Sequence, residues 1–482
     1  MVEVTNAEER PNFILCMGDD HGWEETGYNG HQIIQTPNLD QMANEGLRLD
    51  RFYAGHPSCS PTRGSVLTGR HPNRYGTFSP GWSLRPEEIS IAQLLHDAGY
   101  QCGHFGKWHL GPVKKSSPTN PGAMGFNRWL SHDNFFELNP VFSSDGGPPE
   151  VYVGESSEIL VKEALNFIRS AKSQQQPFFV VLWFGSPHEP YSGLKKDLAI
   201  YDELPARFPN QTVRLTSNET GKPVKRPLGE VLQERYAEIT AMDRAIGQLR
   251  TGLEDEAVRQ NTLLWYCGDN GTPPSGLLSS PLKGQKSQMY EGGIRVPGVI
   301  EWPSQIKQPA ASEHNAVTSD ILPTLCSAAG ISPTSRPIDG IDLLPMFRGE
   351  VTRRASPLHF WSFNTRLISE DAKPWIAPDL QEGTTPLVKL MKGKPTRTFR
   401  NVHHTNIRET DFGGARAITT QSYKLILDQS KSEEIELYHL EDDPGESRNL
   451  ANSKPALVQE LSRQMRSWQE SVLQSLTGKD YQ

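Results

Sequence analysis

Two carboxylates stand side by side at Asp19-Asp20, and a third is followed directly by an amide at Asp269-Asn270. Adjacent carboxylates repel unless a cation or strong donors intervene. An all-oxygen set of this kind suits a hard divalent ion, calcium or magnesium, better than zinc, which favours nitrogen and sulfur. Taken singly, Asp and Asn at such places also serve as helix caps and turn formers. Three further segments carry reactive groups. Cys59 opens the run Cys59-Ser60-Pro61-Thr62-Arg63-Gly64, which continues to Leu67-Thr68-Gly69-Arg70. Gly106-Lys107-Trp108-His109 sets an ammonium and an imidazole two residues apart, on one side of the chain if the segment is extended. Pro187-His188-Glu189-Pro190 frames a histidine suited to proton transfer, and Lys283 and Lys286 precede Glu291-Gly292-Gly293. Each has a plainer alternative: a small buried hydrophobe for Cys59, surface charges for Arg63 and Lys107, a turn histidine for His109.

The elements that position these groups can be read around them. The apolar run of residues 13–17 ends at Gly18-Asp19-Asp20, residues 177–183 run into Ser186-Pro187-His188, and residues 262–267 run into Gly268-Asp269-Asn270. Short continuous apolar runs fit strands buried on both faces, and open α/β sheets place ligand sites at the C-terminal strand ends. Between them, Ile159, Val161, Leu165 and Ile168, and then Tyr236, Ile239, Met242, Ile246 and Leu249, recur at helical spacing. The expected fold is α/β: a large mixed, mostly parallel sheet sandwiched by helices. The texture changes near residue 350. Residues 361–414 are rich in Pro, Thr, Lys and Arg and weakly periodic, which predicts a long surface excursion. Residues 415–428 read as a hairpin, 436–440 as a strand and 455–476 as an amphipathic helix. The division expected is therefore a catalytic domain over 1–350 and a smaller C-terminal α+β unit over 351–482, with antiparallel sheet and terminal helix.

The net charge of −8 is spread through the chain without charged blocks, which argues against a nucleic-acid or anionic-membrane binder. The five cysteines lie far apart, are odd in number and show no Cys-x-x-Cys pair of the kind that marks zinc or redox sites, which argues against a disulfide scaffold. The first ten residues are polar and acidic, unlike a secretory signal, and no apolar run approaches the ~20 residues that cross a bilayer. The sequence thus predicts a chain with no export signal and no membrane span, and implies no oligomeric state.

Together the motifs resemble those of the type I, formylglycine-dependent sulfatases of the alkaline phosphatase superfamily, and further matches at Thr36-Pro37-Asn38-Leu39-Asp40, Pro323-Thr324-Leu325 and Asp443-Pro444 extend the resemblance over nearly the whole chain. The resemblance implies that a formylglycine-generating enzyme oxidises Cys59 to an aldehyde whose hydrate is the nucleophile. It implies a calcium ion, with magnesium as the alternative, held by Asp19, Asp20, Asp269, Asn270 and the modified Cys59. Arg63 would hold the nucleophile's oxygens, Lys107 and Lys286 the sulfate, with Lys283 the less favoured lysine and Gln285 a departure from a frequent glycine. Asp269 would take the proton of the attacking hydroxyl, His188 would serve the leaving group, and His109 would deprotonate the second hydroxyl to expel sulfate. The implied activity is hydrolysis of sulfate monoesters, on a sulfated carbohydrate if Trp361, Phe363, Arg366, Trp375, His403, His404 and Arg408 of the excursion contact the sugar. The rival readings are a phosphodiesterase or phosphonate hydrolase of the same superfamily and an inactive binder of sulfated glycans. Members of the family are usually exported, to periplasm, lysosome or medium.

Overall fold

The apolar runs become neighbouring strands. In the computed structural model, which describes residues 10–134, 138–217, 222–276, 278–368, 372–386, 398–428 and 435–482, Asn12–Gly18 lies between Thr262–Gly268 and Phe178–Trp183, parallel to both. Gln101–Lys107 and Arg128–His132 continue the parallel set beyond Phe178–Trp183. Shorter antiparallel strands extend each side, Gly298–Glu301 against Thr262–Gly268 and Val141–Ser144 against Arg128–His132, within a ten-stranded sheet.

Alternation along the strands explains why helices cover both faces. Phe13, Leu15 and Met17 point to one side with Phe179, Val181 and Trp183, and pack on Val66 and Leu67 of helix Cys59–Thr68, on Ile91–Asp97 and on Ile321–Ala329. Ile14 and Cys16 point to the other with Val180 and Leu182, and meet Leu160 and Ile168 of Ser156–Ser173 and Met242, Ile246 and Leu249 of Leu228–Asp255. A strand buried on both faces has no polar side, which is why these runs read as unbroken hydrophobes.

The C-terminal strands Leu358–Trp361, Arg416–Thr419, Tyr423–Leu427 and Glu436–His439 form a separate antiparallel sheet in that order. Its two faces do different work. Trp361, Ile418, Leu425 and Leu437 bury against Leu461, Met465 and Leu473 of helix Pro455–Leu476. Phe360, Ala417, Ile426 and Tyr438 bury against Tyr53, Met289 and Ile294 of the larger body. The helix and the hairpin lie where the sequence put them; Leu358–Trp361 was hidden because a four-residue edge strand shows too little alternation to detect.

The expected surface excursion over 361–414 is corrected by its described parts. Trp361 and Phe399 are fully buried, and Phe363 and Phe412 nearly so. Thr384 and Thr385 donate their backbone N–H groups to Asp133 at 2.6 and 2.8 Å, Ser83 donates its N–H to the Arg400 carbonyl at 3.0 Å, and Asn401 donates to the Leu84 carbonyl at 2.9 Å. Its described parts form a strap bonded to the larger body. Its polarity misled because those polar groups satisfy one another inside. Residues 369–371 and 387–397 of it lie outside the described residues. Among the described residues no helix is long and apolar enough to cross a membrane.

Candidate active site

Register brings the polar strand ends together. Gly18 is level with Gly268, and Met17 with Trp183. The chain therefore leaves three adjacent strands at one edge, where Asp19 donates its N–H to the Ser186 carbonyl at 2.9 Å, Asp269 to the Gly18 carbonyl at 3.1 Å, and Asp20 to Asp269 Oδ1 at 2.9 Å. Gln101–Lys107 delivers Lys107 as its last residue. Gly106 before it has φ +108°, and a Cβ there would lie 2.0 Å from the Trp183 carbonyl oxygen, so the strand approaches its neighbour as only glycine allows. Cys59 is the first residue of helix Cys59–Thr68, where the helix dipole favours negative charge, and Arg63 follows one turn later.

The side chains converge in a buried cluster. Cys59 Sγ, one oxygen each of Asp19 and Asp20, and a ring nitrogen of His188 all lie within 4.8 Å of one another. Arg63 donates to Asp269 Oδ2 at 2.8 Å and to the Lys107 carbonyl at 3.1 Å, and sits 3.6 Å from Asp19 Oδ1. Lys107 pairs with Asp19, and Lys286 donates to Asp20 Oδ2 at 2.7 Å while lying 3.5 Å from His188 Nε2. Asn270 donates its amide to Asp20 Oδ1 at 2.8 Å. Three carboxylates thus face three cations, and Asp19, Arg63, Lys107, Asp269 and Asn270 are all fully buried.

Two features fit a metal ion. Asp19 Oδ1 and Asn270 Oδ1 are buried without a hydrogen-bond partner among the described residues, a costly state for a polar atom. The donors here, Asp19, Asp20, Asp269 and Asn270, are oxygens of the kind a hard cation takes. Calcium and magnesium both suit that set.

Electrostatics follow from burial and from these pairs. Burial opposes ionisation of Asp20, but Lys286, His188 and the Asn270 amide outweigh it and hold the carboxyl well below the usual range. Asp269 goes the other way: burial and the neighbouring Asp19 charge raise it, against the pull of Arg63. Burial keeps His188 neutral far below the ordinary histidine value, against Asp20. The Cys59 thiol is pushed up by burial while Lys107 and Lys286 draw it down.

The cluster contains Asp19, Asp20, Cys59, Arg63, Lys107, His188, Asp269, Asn270 and Lys286. Lys283 is elsewhere, bonded to Tyr438 at 2.8 Å and Glu436 at 3.2 Å. His109 is buried and meets the ring of Phe399 edge-on at 6.3 Å. The extended path expected from Lys107 to His109 does not hold, because His109 has φ +55° and turns the chain out of strand alternation. Of the seven residues expected to contact a sugar, Trp361 and Phe363 belong to the core beneath helix Pro455–Leu476, and His404 is buried against Asp411 at 3.0 Å. Trp375 and His403 are half-buried, and Arg366 and Arg408 are exposed. Sequence reading missed Trp183, over whose ring the Arg63 guanidinium lies at 5.1 Å; as the last residue of an apolar strand it looked like core alone.

Known proteins resemble this chain in sequence and fold. The Sulfatase family model matches residues 11–331. N-acetylgalactosamine-6-sulfatase of Sus scrofa is 31% identical over 401 residues, covering 75% of this chain and 70% of the relative. Arylsulfatase A of Homo sapiens is 28% identical over 496 residues, covering 94% and 86%. A solved structure in complex with its substrate D-glucosamine-2-N,6-O-disulfate superposes with TM-score 0.73 at 22% identity, covering 96% of this chain and 98% of that one.

Proposed function

The chain belongs to the sulfatase family and is a sulfuric ester hydrolase, and from that premise we propose that it removes sulfate from a sulfated carbohydrate through Cys59 matured to formylglycine. The observation that supports this most is the cluster itself: Cys59 on a helix N-terminus, within 4.8 Å of ligand atoms of Asp19, Asp20 and His188, among three cations, Arg63 and Lys107 fully buried and Lys286 half-buried.

Asp19, Asp20, Asp269 and Asn270 would hold the calcium or magnesium ion. When bound, the ion would favour the deprotonated nucleophile and neutralise charge on the sulfate oxygens. Formylglycine, made by a formylglycine-generating enzyme, would supply that nucleophile as its hydrate. The protein's own groups do the rest. A sulfate monoester carries one negative charge, and more collects on the leaving oxygen as its bond to sulfur breaks. Lys107, Arg63 and Lys286 place positive charge at that point, and the burial of Lys107 and Arg63 makes their charge count for more. His188 Nδ1 faces the Glu189 carbonyl at 2.6 Å, so this nitrogen carries the N–H and Nε2 is the atom that exchanges a proton. Lys286 Nζ, 3.5 Å from Nε2, is placed to share the proton that reaches the departing oxygen. Asp269, with its raised proton affinity, is the candidate acceptor from the nucleophile, and His109 the candidate base for release of sulfate.

Two observations favour a carbohydrate. The relatives include an N-acetylgalactosamine-6-sulfatase. An open cleft of 550 Å³ is lined by the cations Lys373 and Arg408, suited to a further sulfate or carboxylate, with His403 and His404 beside them, on the strap that also presents Phe399 to His109. In this reading the part of the chain before about residue 350 carries the chemistry and the remainder shapes access to it.

Intact-peptide mass spectrometry over residues 52–70, paired with sulfate release from a panel of sulfated sugars and an aryl sulfate, tests the proposal. Aldehyde at position 59 together with sugar desulfation is the expected result. Conversion without sulfate release from any ester overturns the activity. His403→Ala with Arg408→Ala should lower kcat/KM on the sugar and leave the aryl ester unaffected; equal loss on both overturns the carbohydrate reading.

A further inference from the structure

Behind the cluster lies a second buried pair that touches none of the reacting atoms. Arg235 projects from helix Leu228–Asp255 and is fully buried, with Glu25 against it. A guanidinium has five N–H donors, and all five are used. Nε and NH2 form a bidentate pair with Glu25 at 2.7 and 2.6 Å. The second donor on NH2 reaches the Asp20 carbonyl at 2.7 Å, while NH1 reaches the Pro187 carbonyl at 2.6 Å and Tyr191 Oη at 3.2 Å. Glu25 in turn accepts from the Gly22 N–H at 3.1 Å and from Thr272 Oγ1 at 3.0 Å.

The partners identify what this pair does. Asp20 is in the loop after the first strand, Pro187 immediately precedes His188, and Thr272 is two residues beyond Asn270. One ion pair therefore ties together the three strand-end loops that carry the oxygen ligands and the leaving-group histidine. Space is cleared for it: a Cβ on Gly276 would lie 2.3 Å from Arg235 Nε. A buried pair serving stability alone needs only mutual satisfaction. This one spends three of its donors on two backbone carbonyls and a tyrosine, the carbonyls belonging to the residues whose separation sets the site.

We propose that Arg235 and Glu25 are positioning residues that fix the distance between the metal-ligand loop at Asp20 and the leaving-group histidine, His188. Neither is a catalytic residue. This inference rests on the functional reading above. Arg235→Lys keeps the charge but lacks the fork, so it cannot hold both carbonyls. Glu25→Gln keeps the shape but presents an amide N–H₂ to donors on one side.

The test uses matured enzyme, stripped of metal with a chelator, and both variants, each checked for folding by near-ultraviolet circular dichroism. Calcium affinity is measured by calorimetry, and kcat on 4-nitrophenyl sulfate is compared with kcat on phenyl sulfate, whose leaving group needs a proton more. The expected result is calcium binding weakened by about 10- to 100-fold, and a kcat loss of about 100-fold on phenyl sulfate that exceeds the loss on the nitrophenyl ester. A merely structural pair would lower both esters equally, in proportion to folded protein, with calcium affinity unchanged; that result overturns the proposal. If Arg235→Lys does not fold, Glu25→Gln gives the same two readouts. Wild type that binds calcium but cleaves neither ester overturns the functional reading, and the calcium arm still decides the clamp.

Discussion

Buried charge appears in two settings in this molecule, and they are built differently. Where the C-terminal sheet meets the larger body, Arg354 donates to Asp320 at 2.7 and 3.0 Å, and the same carboxylate accepts the N–H groups of Val317 at 2.9 Å and Ile341 at 2.8 Å. Nearby, Asp339 accepts from Arg74 at 2.7 and 2.8 Å, from the His71 N–H at 2.6 Å and from Trp468 Nε1 at 2.9 Å. Every oxygen in these two carboxylates has two donors, and the charges cancel pairwise. At the strand ends, by contrast, like charges are packed together, Asp19 Oδ1 and Asn270 Oδ1 lack a hydrogen-bond donor among the described residues, and Arg63 is shared among several acceptors. At the interface each carboxylate is satisfied as it stands; at the strand ends the oxygens are satisfied only with something more in the site. A fold keeps the second kind because of what it binds.

The sharpest way to break this comparison is to exchange the consequences. Cys59→Ala should abolish sulfate release, a loss of about 10³- to 10⁶-fold, while the unfolding midpoint in denaturant stays where it was. A variant that keeps activity would remove Cys59 from the chemistry. Arg354→Ala should do the reverse. It strands the Asp320 carboxylate and should cost about 3–5 kcal/mol of stability, yet leave kcat per folded molecule unchanged. A drop in kcat with unaltered stability would mean that the interface pair belongs to the active site after all.

Metal addition sharpens the same contrast. Calcium at 100 times its dissociation constant should stabilise the folded chain by about 2.7 kcal/mol, and Asp20→Asn with Asn270→Ala should cancel the gain. Arg354→Ala, though less stable, should retain it. A calcium response that survives the double substitution would place the ion somewhere other than the strand ends.

What could be read from the sequence divides along the same line. The strand-end residues were legible because each stands where an apolar run stops, and because adjacent carboxylates and a cysteine at fixed spacing have few innocent explanations. The interface pairs were not, since Asp320 and Arg354 are 34 residues apart, and a lone charge in a sequence carries no sign of its partner. Arg235 was hidden more thoroughly: the helical periodicity around it marks Tyr236, Ile239 and Met242 as core and treats the arginine as solvated by default. The strap failed for the opposite reason. Its threonines looked exposed, and only the fold reveals that Asp133 receives Thr384 and Thr385 and that the 81–84 segment receives the Arg400 backbone and Asn401.

The smallest effect concerns pH at the closed interface. His71 is buried with its Nδ1 accepting from the Asn73 N–H at 3.3 Å, and it is surrounded by Asp339, Arg74, His56, His359 and Trp468. Burial is the main cause of a proton affinity well below that of ordinary histidine; Arg74 and the neighbouring histidines add to it, and Asp339 opposes it without prevailing. The folded state therefore keeps His71 neutral where the unfolded chain would charge it. Its contribution is fully present above the ordinary value of about 6.5 and is lost as the pH falls below it. One such group adds at most about 1.4 kcal/mol of lost stability per pH unit. His71→Asn preserves an acceptor for the Asn73 N–H and cannot take up a proton. Its stability, followed by denaturant unfolding at pH 7 and pH 5, should fall less steeply than that of the wild type. Parallel slopes would show that His71 does not titrate across unfolding, and the acid sensitivity would then come from the other histidines that burial holds neutral, His56 and His359 beside it or His104, His132 and His188 near the strand ends.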